Sequence, residues 1–383
     1  MVVLPYGRVV YPLDLGHRQV TVVEPPRQGV PPALRDLLDS ALERPVGRPR
    51  VESMVAAGAR VTVIVSDATR NEPRADFLAA LRRRLPAVRW TLAIATGTHG
   101  PCGTETLGIP PALLADAQVI DHDGHDDRAL VTLGVTSRGT PARVHRCVVD
   151  ADLVVATGCI RPHYFAGFGA GVKAIFPGLG GAGAIRQNHA LKREPMARAG
   201  IVEGNPCRED LEEAVGLLST PTFLLDGVGG TDDRVHAAIA GDPVLAFRAG
   251  VALARPWFTV RAPRAPVVIA SDGLPVSGSL YQSAKIAAAV APLVAEGGTL
   301  VIVAECAAGI GPREIVNEAI FRIGVLPRLA RDVQIHLVSG LPAAEVRKTL
   351  VQHADSVEAV VAATSGAIVV VPRASQLILE PSS

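Results

Sequence analysis

The sequence predicts an α/β fold of two domains, each a largely parallel sheet flanked by helices, with the active site in the cleft between them. Three observations carry this reading. Short, continuously apolar runs rich in Val and Ile recur along the chain, and such runs suit strands buried on both faces. Ala/Leu/Arg-rich stretches long enough for helices separate most of them. Polar or glycine-rich segments follow several of the runs directly, where open parallel sheets bind ligands.

In chain order the runs are 61–65 (VTVIV), 90–95, 153–156, 223–225, 266–270, 299–304, 333–338 and 367–371. At 383 residues the chain is long for one core. The Pro- and Arg-rich stretch 255–266 has no clear period and reads as a linker. It divides a larger N-terminal, cofactor-binding domain, 1–256, from a smaller C-terminal domain, 257–383.

Composition narrows the function. Apolar residues make up 48 % of the chain and charged residues 20 %, enough for a sizeable core. A formal net charge of +1 gives no global field for nucleic acid or an anionic membrane. The N-terminal stretch lacks the pattern of a signal peptide, and no apolar run reaches the roughly 18 residues of a membrane span. Five scattered cysteines without a C-x-x-C read as reduced thiols of a cytoplasmic protein.

The segments after the strands hold the candidate residues. In S-D-x-T-R, Asp67 is placed to N-cap a following helix, with Arg70 in its first turn as a bidentate grip for a carboxylate. His99, between Thr98 and Gly100, stands in a loop open to a ligand and has the side chain of a neutral-pH general base. His163 opens P-H-Y-F-A-G-F-G-A-G-V-K, in which Gly167, Gly169 and Gly171 precede Lys173. Glycine-rich backbone there could offer N–H groups to a phosphate, with Lys173 adding charge. Val172 and Ala174 flank that lysine, which departs from a P-loop. Gly178–Gly183 spells G-x-G-x-x-G, but Pro177 argues against a strand running into it. His189 follows on the helix opened by those glycines. Farther on, Gln282 and Lys285 are three apart and share a helix face. The Asp- and His-rich stretch 121–127 reads as a solvated turn before a metal site.

Together these residues resemble the lactate racemase family, whose members use a nickel-pincer nucleotide. The likeness covers nearly the whole chain, and its most specific part is P-H-Y-F-A-G-F-G-A-G-V-K followed sixteen residues after Lys173 by His189. The resemblance implies an isomerase that inverts C2 of a 2-hydroxy acid by reversible hydride transfer. It implies acid/base roles for His163 and His99, a thioamide tether at Lys173, nickel ligation by His189, and cofactor contacts at Gly169 and Gly171. It also places Asp67, Arg70, Gln282 and Lys285 near the substrate. A soft pincer with one imidazole suits square-planar nickel. The implied partners are a small 2-hydroxy acid and the enzymes that build the cofactor.

One departure bears on the substrate. Members of the family carry a pocket tryptophan in the second domain, whereas Trp90 and Trp257 are the only tryptophans here and neither fits. Small residues stand around Ser339-Gly340-Leu341-Pro342 instead. A longer hydroxy acid or a sugar acid is therefore expected over lactate. The competing readings are an NAD-dependent 2-hydroxy acid dehydrogenase, a cofactor-independent racemase, and a non-catalytic nickel- or nucleotide-binding protein.

Overall fold

The computed structural model describes residues 2–382. It contains two compact units: Gln28–Trp257 forms one, and residues up to Arg27 join those from Phe258 onward to form the other. Among the described residues no helix is long and apolar enough to cross a membrane.

The Gln28–Trp257 unit is built on a six-stranded sheet. Its order is Val235–Gly241, Thr222–Gly229, Leu153–Ile160, Arg60–Ser66, Arg89–Ala95 and Ala117–Asp121. Every pairing is parallel except that of Val235–Gly241 with Thr222–Gly229. All eight residues of Leu153–Ile160 are buried, as a continuous apolar run in a doubly covered sheet requires. Helices Leu34–Glu43 and Arg74–Arg84 contribute Leu38, Leu42, Phe77 and Leu81 to the core that these strands share.

The second unit has a sheet ordered Gln352–His353, Gln334–Val338, Val294–Val303, Ala265–Gly273, Val2–Gly7 and Val9–Leu13. Ile368–Val371 also pairs with Ala265–Gly273, over Val267–Ala270, and with Val20–Val22 on its other side. Val2–Gly7 meets Ala265–Gly273 only at Asp272 and Gly273.

Two expectations need correction. The N-terminal residues, grouped above with domain 1–256, belong to the sheet of the C-terminal unit. Leu4 and Leu13 are fully buried beside Val267, Ile269, Val301 and Val303, which draws the N-terminal hairpin onto that core. Pro12 is tolerated because Val9–Leu13 is the outermost strand of the sheet path. The supposed linker 255–266 is ordered structure: helix Leu245–Phe258 runs through Pro256, and strands Thr259–Ala262 and Ala265–Gly273 follow. Thr259–Ala262 pairs with Ile378–Pro381, a partner more than a hundred residues away that no local period reveals.

Both tryptophans lie in the Gln28–Trp257 unit, so their fluorescence follows the unfolding of that unit alone. Phe223→Ala removes a fully buried ring from a central strand. It should destabilise the unit by about 3–5 kcal/mol, read as an earlier tryptophan-fluorescence transition in denaturant.

Candidate functional site

Three adjacent parallel strands deliver the first side chains at their carboxyl ends. Asp67 follows Arg60–Ser66, His99 stands in the loop after Arg89–Ala95, and His163 closes the short strand Pro162–His163 beyond Leu153–Ile160. Asp67 is buried, and its Oδ2 lies 2.6 Å from His99 Nδ1. Its Oδ1 accepts the Thr69 amide at 3.0 Å and the Thr69 hydroxyl at 2.5 Å. Burial pushes the carboxyl up, but the hydrogen bonds from His99 and Thr69 and the charges of His99 and Arg70 outweigh it. The Asp67 pKa consequently lies below the usual carboxylate value. An ionised Asp67 fixes the His99 proton on Nδ1 and leaves Nε2 as the basic nitrogen. The His99 side chain is 48 % exposed, so that nitrogen is open to a ligand.

Asp67 does not cap a helix, contrary to expectation. The Arg70 amide donates to the Asp67 carbonyl at 3.2 Å, closing a turn, and the helix starts only at Arg74. Pro73 explains the delay, because the residue before a proline is disfavoured in helical geometry. Arg74, a residue the sequence reading missed, fixes this turn: its buried guanidinium donates to the carbonyls of Ser66, Asp67 and Arg70. Arg70 itself is exposed.

The remaining residues gather around one phenyl ring. Phe165 is 2 % exposed, with the His163 ring edge-on at 4.6 Å and the His189 ring at 4.8 Å. Lys173 Nζ stands 5.8 Å from the same centroid. His163 Nδ1 accepts the Ala166 amide at 3.2 Å, which assigns the proton of the neutral ring to Nε2. Asn205 holds the Phe165 carbonyl from below at 2.8 Å, and buried Arg208 donates to the carbonyls of Ala166 and Phe168.

Lys173 lies in the single turn Gly171–Ala174. Burial, then the charges of Arg208 and Arg70, push its amine down to about 7. His189, on helix Ala182–Ala190, is pushed down to about 3 by burial and by Lys173 and Lys192. Its ring is thus neutral at physiological pH, the form that ligates metals. Among the described residues no three His, Cys, Asp or Glu side chains come together to hold a metal ion. A metal at His189 would therefore take its other ligands from a bound group.

The glycine backbone does not behave as first read. The Gly169 amide donates to the Arg161 carbonyl at 2.8 Å and the Gly171 amide to Asp226 Oδ2 at 2.8 Å. Neither amide is left to cradle a phosphate. Their role is conformational: at Gly171, φ is +66° and a Cβ would stand 2.8 Å from the Phe247 ring. Asp226 is the second missed residue, and its signal was a lone carboxylate in the apolar run Phe223–Val228. Burial pushes its carboxyl well above the usual range.

Gly178–Gly183 follows a turn, not a strand, and Gly181 caps helix Ala182–Ala190. The strand–turn–helix context of a dinucleotide fingerprint is lacking there. The segment instead anchors the His99 loop, since the Gly97 amide donates to the Gly178 carbonyl at 2.9 Å. Within 121–127, His122 is buried and its Nε2 lies 2.9 Å from the Gly180 carbonyl, while Asp121 accepts the amides of Cys102 and Gly103. In the other unit, Gln282 and Lys285 share a face of helix Leu280–Val290, with Lys285 Nζ donating to Gln282 Oε1 at 2.5 Å.

The chain has only four lysines, Lys173, Lys192, Lys285 and Lys348, so their reactivity can be followed one by one. Acylation of Lys173 by an amine-reactive reagent, mapped by peptide mass, should rise through pH 7 because its pKa is lowered to about 7. Half-maximal labelling above pH 9 would contradict that assignment.

The lactate racemase N-terminal domain model matches residues 6–200. Lactate racemase of Thermoanaerobacterium thermosaccharolyticum is 29 % identical over 344 residues, 83 % of this chain and 80 % of its own. Lactate racemase of Lactiplantibacillus plantarum is 27 % identical over 308 residues, 75 % of this chain and 72 % of its own. In fold, the chain is similar to the lactate racemase apoprotein of T. thermosaccharolyticum, with a TM-score of 0.86, 24 % identity and 99 % of each chain covered. A Thermotoga maritima protein matches at a TM-score of 0.73 and 16 % identity, covering 93 % of this chain and all of its own. The chain belongs to the lactate racemase family and is an isomerase of the racemase kind.

Proposed function

We propose that this enzyme inverts C2 of a 2-hydroxy acid longer or more polar than lactate, using a nickel-pincer nucleotide tethered at Lys173. The observation that carries the reading is the grouping around Phe165 of an amine with a pKa near 7, an imidazole held neutral, and a second histidine. A neutral amine is the form that can be acylated, and a neutral imidazole is the form that binds nickel, so the residues fit the group. Lys173 would hold it covalently and His189 would ligate its metal. When bound, the group supplies an acceptor for the hydride of C2.

The protein's own work is orientation and proton handling. Arg70 is assigned to the substrate carboxylate, for which a guanidinium is a matched donor. His99, with Nδ1 held by Asp67, offers Nε2 to the C2 hydroxyl proton. His163 presents its N–H to the same oxygen from the other side, and the two rings exchange roles for the opposite configuration. Asp67 is thereby reassigned from substrate contact to positioning of His99. The absence of a tryptophan near Ser339-Gly340-Leu341-Pro342 supports a substrate larger than lactate.

Two experiments test this. A C2-deuterated 2-hydroxy acid turned over in ordinary water should keep its label in the inverted product. Loss of the label to solvent would favour proton abstraction from carbon and defeat the hydride reading. Asp67→Asn should lower kcat by about 10²-fold or more in both directions while leaving any adduct at Lys173 intact. An unchanged kcat would remove Asp67 from the machinery.

A further inference from the structure

A neutral imidazole carries its lone pair on either Nδ1 or Nε2, and the hydrogen bond made by one nitrogen decides which. At His189 the choice falls to two residues that none of the roles above uses, Asn188 and Asp210. Both are fully buried. Asp210 lies on helix Pro206–Gly216 and faces the turn between strands Leu130–Val135 and Pro141–His145. The Thr136 hydroxyl accepts the Thr140 amide at 3.0 Å, which leaves its proton for Asp210 Oδ1 at 2.5 Å. The Thr140 hydroxyl donates to Asp210 Oδ2 at 2.7 Å, and Asn188 Nδ2 donates to the same oxygen at 2.8 Å.

An asparagine amide takes its orientation from the groups around it, because its oxygen and nitrogen are alike in shape. On one side Asn188 meets two oxygens, the Asp210 carboxylate and the Cys207 carbonyl, the latter at 3.1 Å. The nitrogen must face them, since a flipped amide would set oxygen against oxygen in a buried place. The amide oxygen is thereby turned to His189 Nδ1, 3.2 Å away. That oxygen can only accept, so Nδ1 must hold the proton and the lone pair is left on Nε2. The Ile185 carbonyl, one turn earlier on helix Ala182–Ala190, is a second acceptor for the ring. Helix Pro206–Gly216 and its cap thus serve the whole cluster. Asn205 and Arg208 hold the backbone about Phe165, and Asp210 reaches His189 through Asn188.

We propose that Asn188 and Asp210 are positioning residues for nickel ligation. Asp210 fixes the Asn188 amide, and Asn188 fixes the His189 proton on Nδ1, leaving Nε2 as the ligating nitrogen. This rests on the functional reading above. The tautomer is set before any metal arrives, so ligation requires no proton to leave the ligating nitrogen.

The test is the tautomer of His189 in the unloaded chain at neutral pH. It is read from the ring nitrogen shifts of nitrogen-15 histidine-labelled protein, with His189→Gln identifying the signal. Wild type should show a protonated Nδ1 and a bare Nε2. Asn188→Leu, which leaves only the Ile185 carbonyl as acceptor, should populate the Nε2–H form as well. Asp210→Ala, which leaves the Cys207 carbonyl alone to hold the amide, should do so to a lesser degree. Asp210→Asn keeps an oxygen for Asn188 and can turn its new N–H to the Thr136 oxygen. It should therefore match wild type, and it guards against misreading one poorly folded variant. In the cofactor-loaded chain, nickel should pass to a chelator about tenfold faster or more from Asn188→Leu than from wild type, with the Lys173 adduct retained. A wild-type ring protonated on Nε2, an Asn188→Leu ring identical to wild type, or equal nickel release from the two overturns the proposal. The functional reading fails separately. Wild type that takes up no nickel in a host loading a known racemase defeats that reading and the nickel role with it, while the tautomer result stands.

Discussion

The site depends on the burial of Phe165. Its ring is packed against two imidazoles and faces the Lys173 amine, so one apolar surface sets their distances from it and, with all three groups half-buried, limits their contact with water. That desolvation is what makes Lys173 and His189 chemically useful. A lysine in water is an ammonium near neutrality and a poor nucleophile, and a protonated imidazole cannot ligate a metal. Desolvation leaves the His189 ring neutral at physiological pH and brings the Lys173 amine down to about 7, so that a large share of it is neutral there; whenever Lys173 is protonated, its charge further disfavours a proton on His189.

Keeping Phe165 in place takes a buried polar framework, and this is where much of the unit's unusual chemistry lies. Asn205 caps helix Pro206–Gly216 with its side-chain oxygen and holds the Phe165 carbonyl with its nitrogen. Arg208, fully buried, grips the carbonyls on either side of Gly167 and stacks its guanidinium 4.1 Å from the Phe247 centroid. Asp226 holds the left-handed Gly171 from the neighbouring strand. Hydrogen bonds and stacking offset much of the cost of burying these groups, although Arg208 Nη1 and Asp226 Oδ1 have no hydrogen-bond partner among the described residues. The His99 side is simpler: Asp67 sets the tautomer, and Arg74 fixes the turn that carries Asp67.

Much of this was legible in the sequence. All eight apolar runs are strands, because a continuous Val/Ile run is hard to accommodate elsewhere. His99, His163 and Lys173 were visible because polar residues after parallel strands have few other reasons to cluster. What stayed hidden depended on distant partners. The N-terminal hairpin joins the second sheet through Leu4 and Leu13, whose neighbours lie more than 250 residues away. Strand Thr259–Ala262 is defined by residues near the C-terminus. Asp226, Arg208 and Arg74 act by gripping backbone carbonyls and amides, and no spacing rule announces such a partner. Gly169 and Gly171 misled because glycine marks unusual backbone without saying what it serves; here it serves packing against Phe247 and bonding to Arg161 and Asp226.

The central claim is that Lys173 carries the cofactor. Its most direct test is the intact mass and nickel content of the chain after expression alongside the pincer-synthesis enzymes. A nucleotide-sized adduct mapped to Lys173, with about one nickel per chain, and lost in Lys173→Ala, is the predicted result. An unmodified chain without nickel, from a host that loads a known lactate racemase, would contradict the account and leave the Phe165 cluster without its assigned role.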